Sequence, residues 1–189
     1  MTTRTALLIV DVQNDFTEGG ALGVSGGDAV AAGVTVLLRD SGADYELIVA
    51  SRDWHDADGD NDGHFATGEP DFVTNWPVHC VAGTAGAEYD PELDTAPLTH
   101  HVKKGQGAHG YSAFDGVTED GTRLAELLVG VEQLDIVGLA TDHCVRASGL
   151  DALDHVAEVR VLTDLIAGVG EDSSLAALDE LVAKGATLV

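Results

Sequence analysis

Short, wholly apolar runs that alternate with helix-periodic segments constrain this chain most. Ala6-Leu7-Leu8-Ile9-Val10, Glu46-Leu47-Ile48-Val49-Ala50-Ser51, Leu134-Asp135-Ile136-Val137-Gly138-Leu139 and Glu158-Val159-Arg160-Val161-Leu162-Thr163 read as strands, the first of them buried on both faces. Between them Val30, Val34, Leu37 and Leu38 recur at helical spacing from Asp28 to Arg39, with Gly42 closing the helix. Leu124, Leu127 and Leu128 share a face between Gly121 and Val129, and Leu175, Leu178, Leu181 and Val182 share one from Ser173 to Ala183. Further strands are expected at Leu98–Lys104 and Ala186–Val189. Such alternation predicts an α/β fold, a three-layer α/β/α sandwich on a mostly parallel, about six-stranded sheet. With 189 residues and neither repeat nor linker, one domain over residues 1–189 is expected.

One stretch breaks the pattern. From about residue 53 to 97 the chain has little periodicity, many Gly, Asp and His, and all four prolines. A long irregular insertion inside a compact domain is usually functional or disordered. Trp54, His55, His64, Phe65, Trp76 and His79 within it argue for order.

In a parallel sheet, ligands bind beyond the carboxyl ends of the strands. Asp11 ends the first strand, Lys104 the third, and Cys144 follows the fourth, so a carboxylate, an ammonium and a thiol fall on one edge. Thr141 or Asp142 can cap a helix running to about His155, which sets Cys144 in or beside its first turn. Unpaired N–H groups and the helix dipole there would favour a thiolate and could cradle an oxyanion. Lys103 competes with Lys104, but strand alternation turns the two opposite ways, and Lys104 directly precedes Gly105 and a glycine-rich loop.

Asp53-Trp54-His55 reaches the same edge, with His64 and His79 further along. One carboxylate and three imidazoles suit a single divalent ion, Zn²⁺ first, with Fe²⁺ or Mn²⁺ as alternatives. His100, His101, His109 and His155 fall outside this set. Asp56, Asp58, Asp60 and Asp62 alternate as in a calcium loop, but no glutamate closes it, so they read as solvated acid.

The charge balance bounds the partners. Nine Lys and Arg against 33 Asp and Glu give −24, which argues against nucleic acid or an anionic membrane. Acid spread along the whole chain suggests a surface adapted to very high salt, where screening falls to about 3 Å near 1 M. Two cysteines in no paired motif, no charged segment before Ala6, and no apolar run long enough to span a bilayer fit a cytoplasmic protein. Homo-oligomerisation is left open.

Ile9-Val10-Asp11-Val12-Gln13-Asn14-Asp15-Phe16, Arg52-Asp53-Trp54-His55, Gly63-His64-Phe65, Trp76-Pro77-Val78-His79-Cys80, Lys104-Gly105 and Gly138-Leu139-Ala140-Thr141-Asp142-His143-Cys144-Val145 together carry a family likeness. From about Ala6 onward the chain resembles the nicotinamidases (pyrazinamidases) of the isochorismatase-like hydrolase superfamily. The resemblance implies that fold and hydrolysis of nicotinamide to nicotinate and ammonia in NAD salvage, with pyrazinamide as a second substrate. It implies a triad of Asp11, Lys104 and Cys144, and a metal held by Asp53, His55, His64 and His79. It further implies an aromatic pocket of Phe16, Trp76 and Tyr111, and an oxyanion hole from the amides of Ala140 and Cys144 beside a cis peptide before Ala140.

Two other readings stand beside it. A related cysteine amidohydrolase would act on a carbamoyl or ureido substrate without the metal set; a non-catalytic metal-binding module would carry an inert thiol. A dinucleotide-binding role lacks a G-x-G-x-x-G after the first strand.

Overall fold

The structure, a computed structural model, describes residues 3–189. Its sheet holds β1 (Thr5–Val10), β2 (Leu47–Asp53), β3 (His100–Lys104), β4 (Gln133–Leu139), β5 (Glu158–Ala167) and β6 (Thr187–Leu188). The order is β3-β2-β1-β4-β5-β6, and every neighbouring pair is parallel.

Alternation along the strands sorts the core into two layers. Leu7, Ile9, Val137 and Leu139 face α1 (Gly27–Ser41), which presents Val30, Ala31, Val34 and Leu38 to them. Ala6, Leu8, Val10, Leu134 and Ile136 face the other way. They meet Leu124 of α2 (Leu124–Leu127), Ala152 of α3 (Arg146–Ala152) and Leu181 of α4 (Glu171–Lys184). Each such aliphatic side chain contributes about 1.5–3 kcal/mol by leaving water. Asp135 sits among them without penalty because Arg160 holds it with two 2.7 Å bonds and the Tyr45 hydroxyl donates a third.

Three elements differ from the sequence-based expectation. The helix expected over Gly121–Val129 is the single turn α2. Before it, the Thr118 hydroxyl and Asp120 carboxylate accept from the Thr122 amide and hold a competing turn. β5 runs on to Ala167, past Thr163: its register with β4 shifts between Ile136 and Gly138, and pairing resumes at Gly138 with Ile166. Gly138, at φ 115°, packs so closely on the Val10 backbone that no side chain fits. The helix expected from the Cys144 region to His155 begins instead as a π-type turn, Thr141–Val145, and α3 stops at Ala152.

All six strands end at one edge, and the strand order reverses between β1 and β4. That switch point opens the crevice where α/β sheets bind ligands. The chain between β2 and β3 covers it with one short 3₁₀ turn, Ala85–Ala87, and isolated bridges such as His55–Val81 and Phe65–Trp76.

Candidate active site

Asp11 directly follows β1 at φ 48°, a left-handed conformation uncommon for any residue but glycine. Ser51 of β2 holds it there, its hydroxyl donating to Oδ1 at 2.6 Å. Asp53 and Lys104 are register partners at the ends of β2 and β3. The Lys104 ammonium donates to Asp53 Oδ1, lies 2.9 Å from Asp11 Oδ2 and reaches Cys144 Sγ at 3.6 Å. Asp11 and Lys104 are fully buried, Asp53 and Cys144 almost so. Lys103 points the other way and stacks on Trp54, its Nζ 4.2 Å from the ring centroid. Strand alternation therefore separates the two lysines.

The electrostatics of this quartet follow from burial and from the charges it brings together. Burial opposes the charge on Lys104, but Asp11, Asp53 and Cys144 around it raise its pKa well above the ordinary value. Burial also opposes charge on Asp53; Lys104, His55 and His79 outweigh it and hold that carboxyl below its ordinary range. Asp11 is pushed up, chiefly by burial, with Asp53 adding and Lys104 and Ser51 only partly offsetting. Cys144 is pushed up as well: burial leads, Asp11 and Asp53 add, and Lys104 pulls the other way. Burial thus works against the thiolate that the helix dipole would favour. The sulfur lies within 4.8 Å of a carboxylate oxygen of both Asp11 and Asp53.

The three histidines of the insertion converge on Asp53 from its other side. His55 donates Nδ1–H to the Gly105 carbonyl at 2.9 Å, and His79 donates Nδ1–H to the Pro77 carbonyl at 2.7 Å. Each ring thereby turns Nε2 toward Asp53 Oδ2, at 3.5 Å and 3.8 Å. His64 Nε2 lies 3.3 Å from His79 Nε2, and burial, followed by the neighbouring His55 and His79, lowers its pKa to about 3. One ligand atom from each of Asp53, His55, His64 and His79 lies within 4.8 Å of the others. Three buried imidazoles whose Nε2 atoms converge on one carboxylate, with His55 Nε2 left without a hydrogen-bond partner, fit a divalent cation. Asp56, Asp58, Asp60 and Asp62 are exposed, as expected of solvated acid; Asn61 among them is buried and ties the loop through the amides of Asp56 and Gly107.

Above these groups opens a cavity of ≈ 300 Å³, at the small end of ligand pockets, which run from about 300 to 1,000 Å³. Phe16, Trp76 and Tyr111 all line it, and Trp76 donates its indole N–H to the Tyr111 hydroxyl at 2.9 Å. Cys144, Asp53, His64, His79 and Ala140 line it too. The Leu139–Ala140 peptide is cis. Sequence reasoning missed Phe72 and His143 among the lining residues. The His143 ring stands edge-on to Trp76 at 5.1 Å and tilted to Tyr111 at 5.7 Å. Its place beside Cys144 was the available signal. The expected capping role of Thr141 or Asp142 is also corrected: Ala140 occupies that position. Asp142 instead accepts from the Val169 and Gly170 amides and the Ser173 hydroxyl, and so anchors the start of α4 to the Cys144 turn.

Comparison with known proteins agrees with this geometry. A family model described as the Isochorismatase domain matches residues 5–189. A nicotinamidase/pyrazinamidase of Mycobacterium tuberculosis is 47% identical over 186 residues, covering 97% of each chain. Among solved structures, PnC1 from L. infantum in complex with nicotinate superposes with a TM-score of 0.83 at 34% identity, covering 100% of this chain and 93% of that one. A pyrazinamidase of Pyrococcus horikoshii in complex with zinc gives 0.81 at 37% identity, covering 98% of both.

Proposed function

The chain belongs to the isochorismatase domain family, and on that premise we propose that it is a nicotinamidase, hydrolysing nicotinamide to nicotinate and ammonia, with pyrazinamide as a second substrate. One observation carries the reading: the Lys104 ammonium lies within reach of Asp11, Asp53 and Cys144, and the last two of these line an aromatic-walled cavity.

The chemistry follows from where the proton rests. Cys144 Sγ attacks the carboxamide carbon while its proton passes to Asp11, which the low polarity of the site makes a better base than an ordinary aspartate. Lys104 stays charged and stabilises the thiolate as it forms. The amides of Ala140 and Cys144 receive the oxyanion; one such donor is typically worth about 10²–10³ in rate. Asp11 then returns the proton to the departing nitrogen, ammonia leaves, and a thioester remains. Asp11 next takes a proton from water, whose oxygen attacks the thioester carbon, and Cys144 regains its proton as nicotinate is released. Phe16, Trp76 and Tyr111 hold the ring and exclude solvent. Asp53, His55, His64 and His79 would hold one divalent ion, which supplies Lewis acidity and an orienting point beside the ring. Zinc is the reading the donor set favours, and the zinc complex of the Pyrococcus relative supports it.

Charge and cysteines support the surroundings we assign. Both cysteines are free, which suits a reducing cytoplasm. Among the described residues no helix is long and apolar enough to cross a membrane. The −24 net charge supports a high-salt setting and a small-molecule partner, not nucleic acid or an anionic membrane.

The deciding experiment measures ammonia release from nicotinamide by the purified protein, with metal content recorded. Wild type should turn over, and Cys144→Ala should lose about 10³-fold or more while keeping its metal. A protein that binds metal but releases no ammonia, or Cys144→Ala with full activity, would end the reading.

A further inference from the structure

Two of the three clustered imidazoles have their outer nitrogen fixed by a backbone carbonyl, His55 by Gly105 and His79 by Pro77. The third does not. His64 turns Nε2 toward the cluster, so a metal held there would leave the ring proton on Nδ1, and that atom is buried with no partner. A buried donor left unmade costs about 1–3 kcal/mol. It also leaves free the ring orientation that a metal site needs fixed, since a ligating histidine almost always hands its other N–H to an outer acceptor.

One side chain able to accept that proton packs against the His64 ring. The exposed ring of His109 lies 5.0 Å from the His64 ring, tilted 59° to it, and 5.8 Å from Tyr111. It belongs to the loop 105–110, which already carries the acceptor for His55. Gly105 and Gly107 both sit at positive φ, 80° and 63°, and Gly110 follows His109, so the loop has backbone freedom on either side of the ring. A neutral imidazole offers one unprotonated nitrogen that can accept such a proton.

We propose that His109 is a positioning residue for the metal centre, accepting the Nδ1 proton of His64 and so fixing the His64 ring. The loop 105–110 then acts as one outer clamp on the site, through the Gly105 carbonyl on His55 and the His109 ring on His64. This rests on the metal reading of Asp53, His55, His64 and His79. It assigns a role to a histidine that sequence spacing had left outside the set.

The test is chelator competition with zinc alone on the purified full chain, comparing wild type with His109→Ala, His109→Gln and His55→Ala. Thermal unfolding of the metal-free proteins serves as the check on folding. Loss of an outer-shell partner typically weakens metal affinity about 10–100-fold, and that drop is expected for His109→Ala. His109→Gln retains an acceptor oxygen and should recover most of the affinity; cobalt(II) substituted for zinc should show a shifted visible spectrum in the alanine variant and not in the glutamine one. Wild-type affinity in His109→Ala alongside a large loss in His55→Ala overturns the inference and leaves the metal site standing. A loss that His109→Gln fails to recover also overturns it. Undiminished zinc affinity in both His109→Ala and His55→Ala removes the metal reading with it.

Discussion

Asp53 and Lys104, register partners at the ends of adjacent strands, join the two halves of the site: Oδ1 of the carboxylate takes the ammonium while Oδ2 faces His55 and His79. The nucleophile's neighbour and the metal cluster therefore share one side chain. Whatever moves Asp53 moves both.

Gly105 tests how tightly the imidazole half is fitted. At φ 80° a Cβ there is strained, and it would lie 2.6 Å from His55 Cε1. Gly105→Ala must therefore push the His55 ring off its Nδ1–carbonyl bond, or distort the loop. We expect a stability loss of about 1–3 kcal/mol and reduced zinc retention. Melting temperature and metal content after dialysis against a chelator measure both; a variant that melts and holds zinc like wild type would show that the contact is not tight.

Asp142 gives a prediction with a defined pH sign. Burial works against its charge, but the Ser173 hydroxyl, the Val169 and Gly170 amides and His143 together hold its carboxyl below the ordinary value. A carboxylate more acidic in the folded state contributes stability that is complete above its unfolded pKa, about 3.9. That stability fades as pH falls through the lowered folded value. Because the group is half-exposed, solvent screens the effect, and Asp142→Asn should cost only about 1 kcal/mol at neutral pH. The gap from wild type should close on going from pH 6 toward pH 3 in urea unfolding. A gap independent of pH would place the cost outside the carboxylate's charge.

Much of this was legible in the residues, and the parts that were not share a cause. The aliphatic runs of β1, β2 and β4 announced a buried parallel sheet because burial on both faces demands such composition. Asp11, Lys104 and Cys144 could then be placed together, since parallel strands all end at one edge. What escaped was set by contacts between distant segments. Asp142 looked like a local cap, yet its partners lie at 169–173. Leu124, Leu127 and Leu128 kept helical spacing, but side-chain bonds around Thr118 and Asp120 held the preceding residues in a turn. The dipole argument for a Cys144 thiolate left burial out, and burial is the first influence on that sulfur and opposes its charge.

The surface charge predicts a salt response. With −24 to distribute and few cations to pair it, most carboxylates repel one another at long range. The Debye length shrinks from about 10 Å at 0.1 M salt to about 3 Å at 1 M, which removes most of that repulsion. Melting temperature should therefore climb steadily with potassium chloride over that interval. A flat or falling curve, with full activity in dilute buffer, would assign the acid to ordinary solubility.

Adjacent Lys103 and Lys104 provide the sharpest contrast, because one strand turns them to opposite environments. Lys104 is fully buried between Asp11 and Asp53, so Lys104→Ala removes the one ammonium that both carboxylates share. Removing one partner of a buried pair costs about 3–5 kcal/mol, far more than the pair's net worth when intact. The Lys103 ammonium rests on the face of Trp54, a contact worth about 0.5–1 kcal/mol near the surface. Urea unfolding at matched zinc should thus separate the two alanine variants by several kcal/mol with similar denaturant slopes. Equal losses would mean that Lys104 does not neutralise the two carboxylates, and the proton balance assigned to Cys144 and Asp11 would lose its basis.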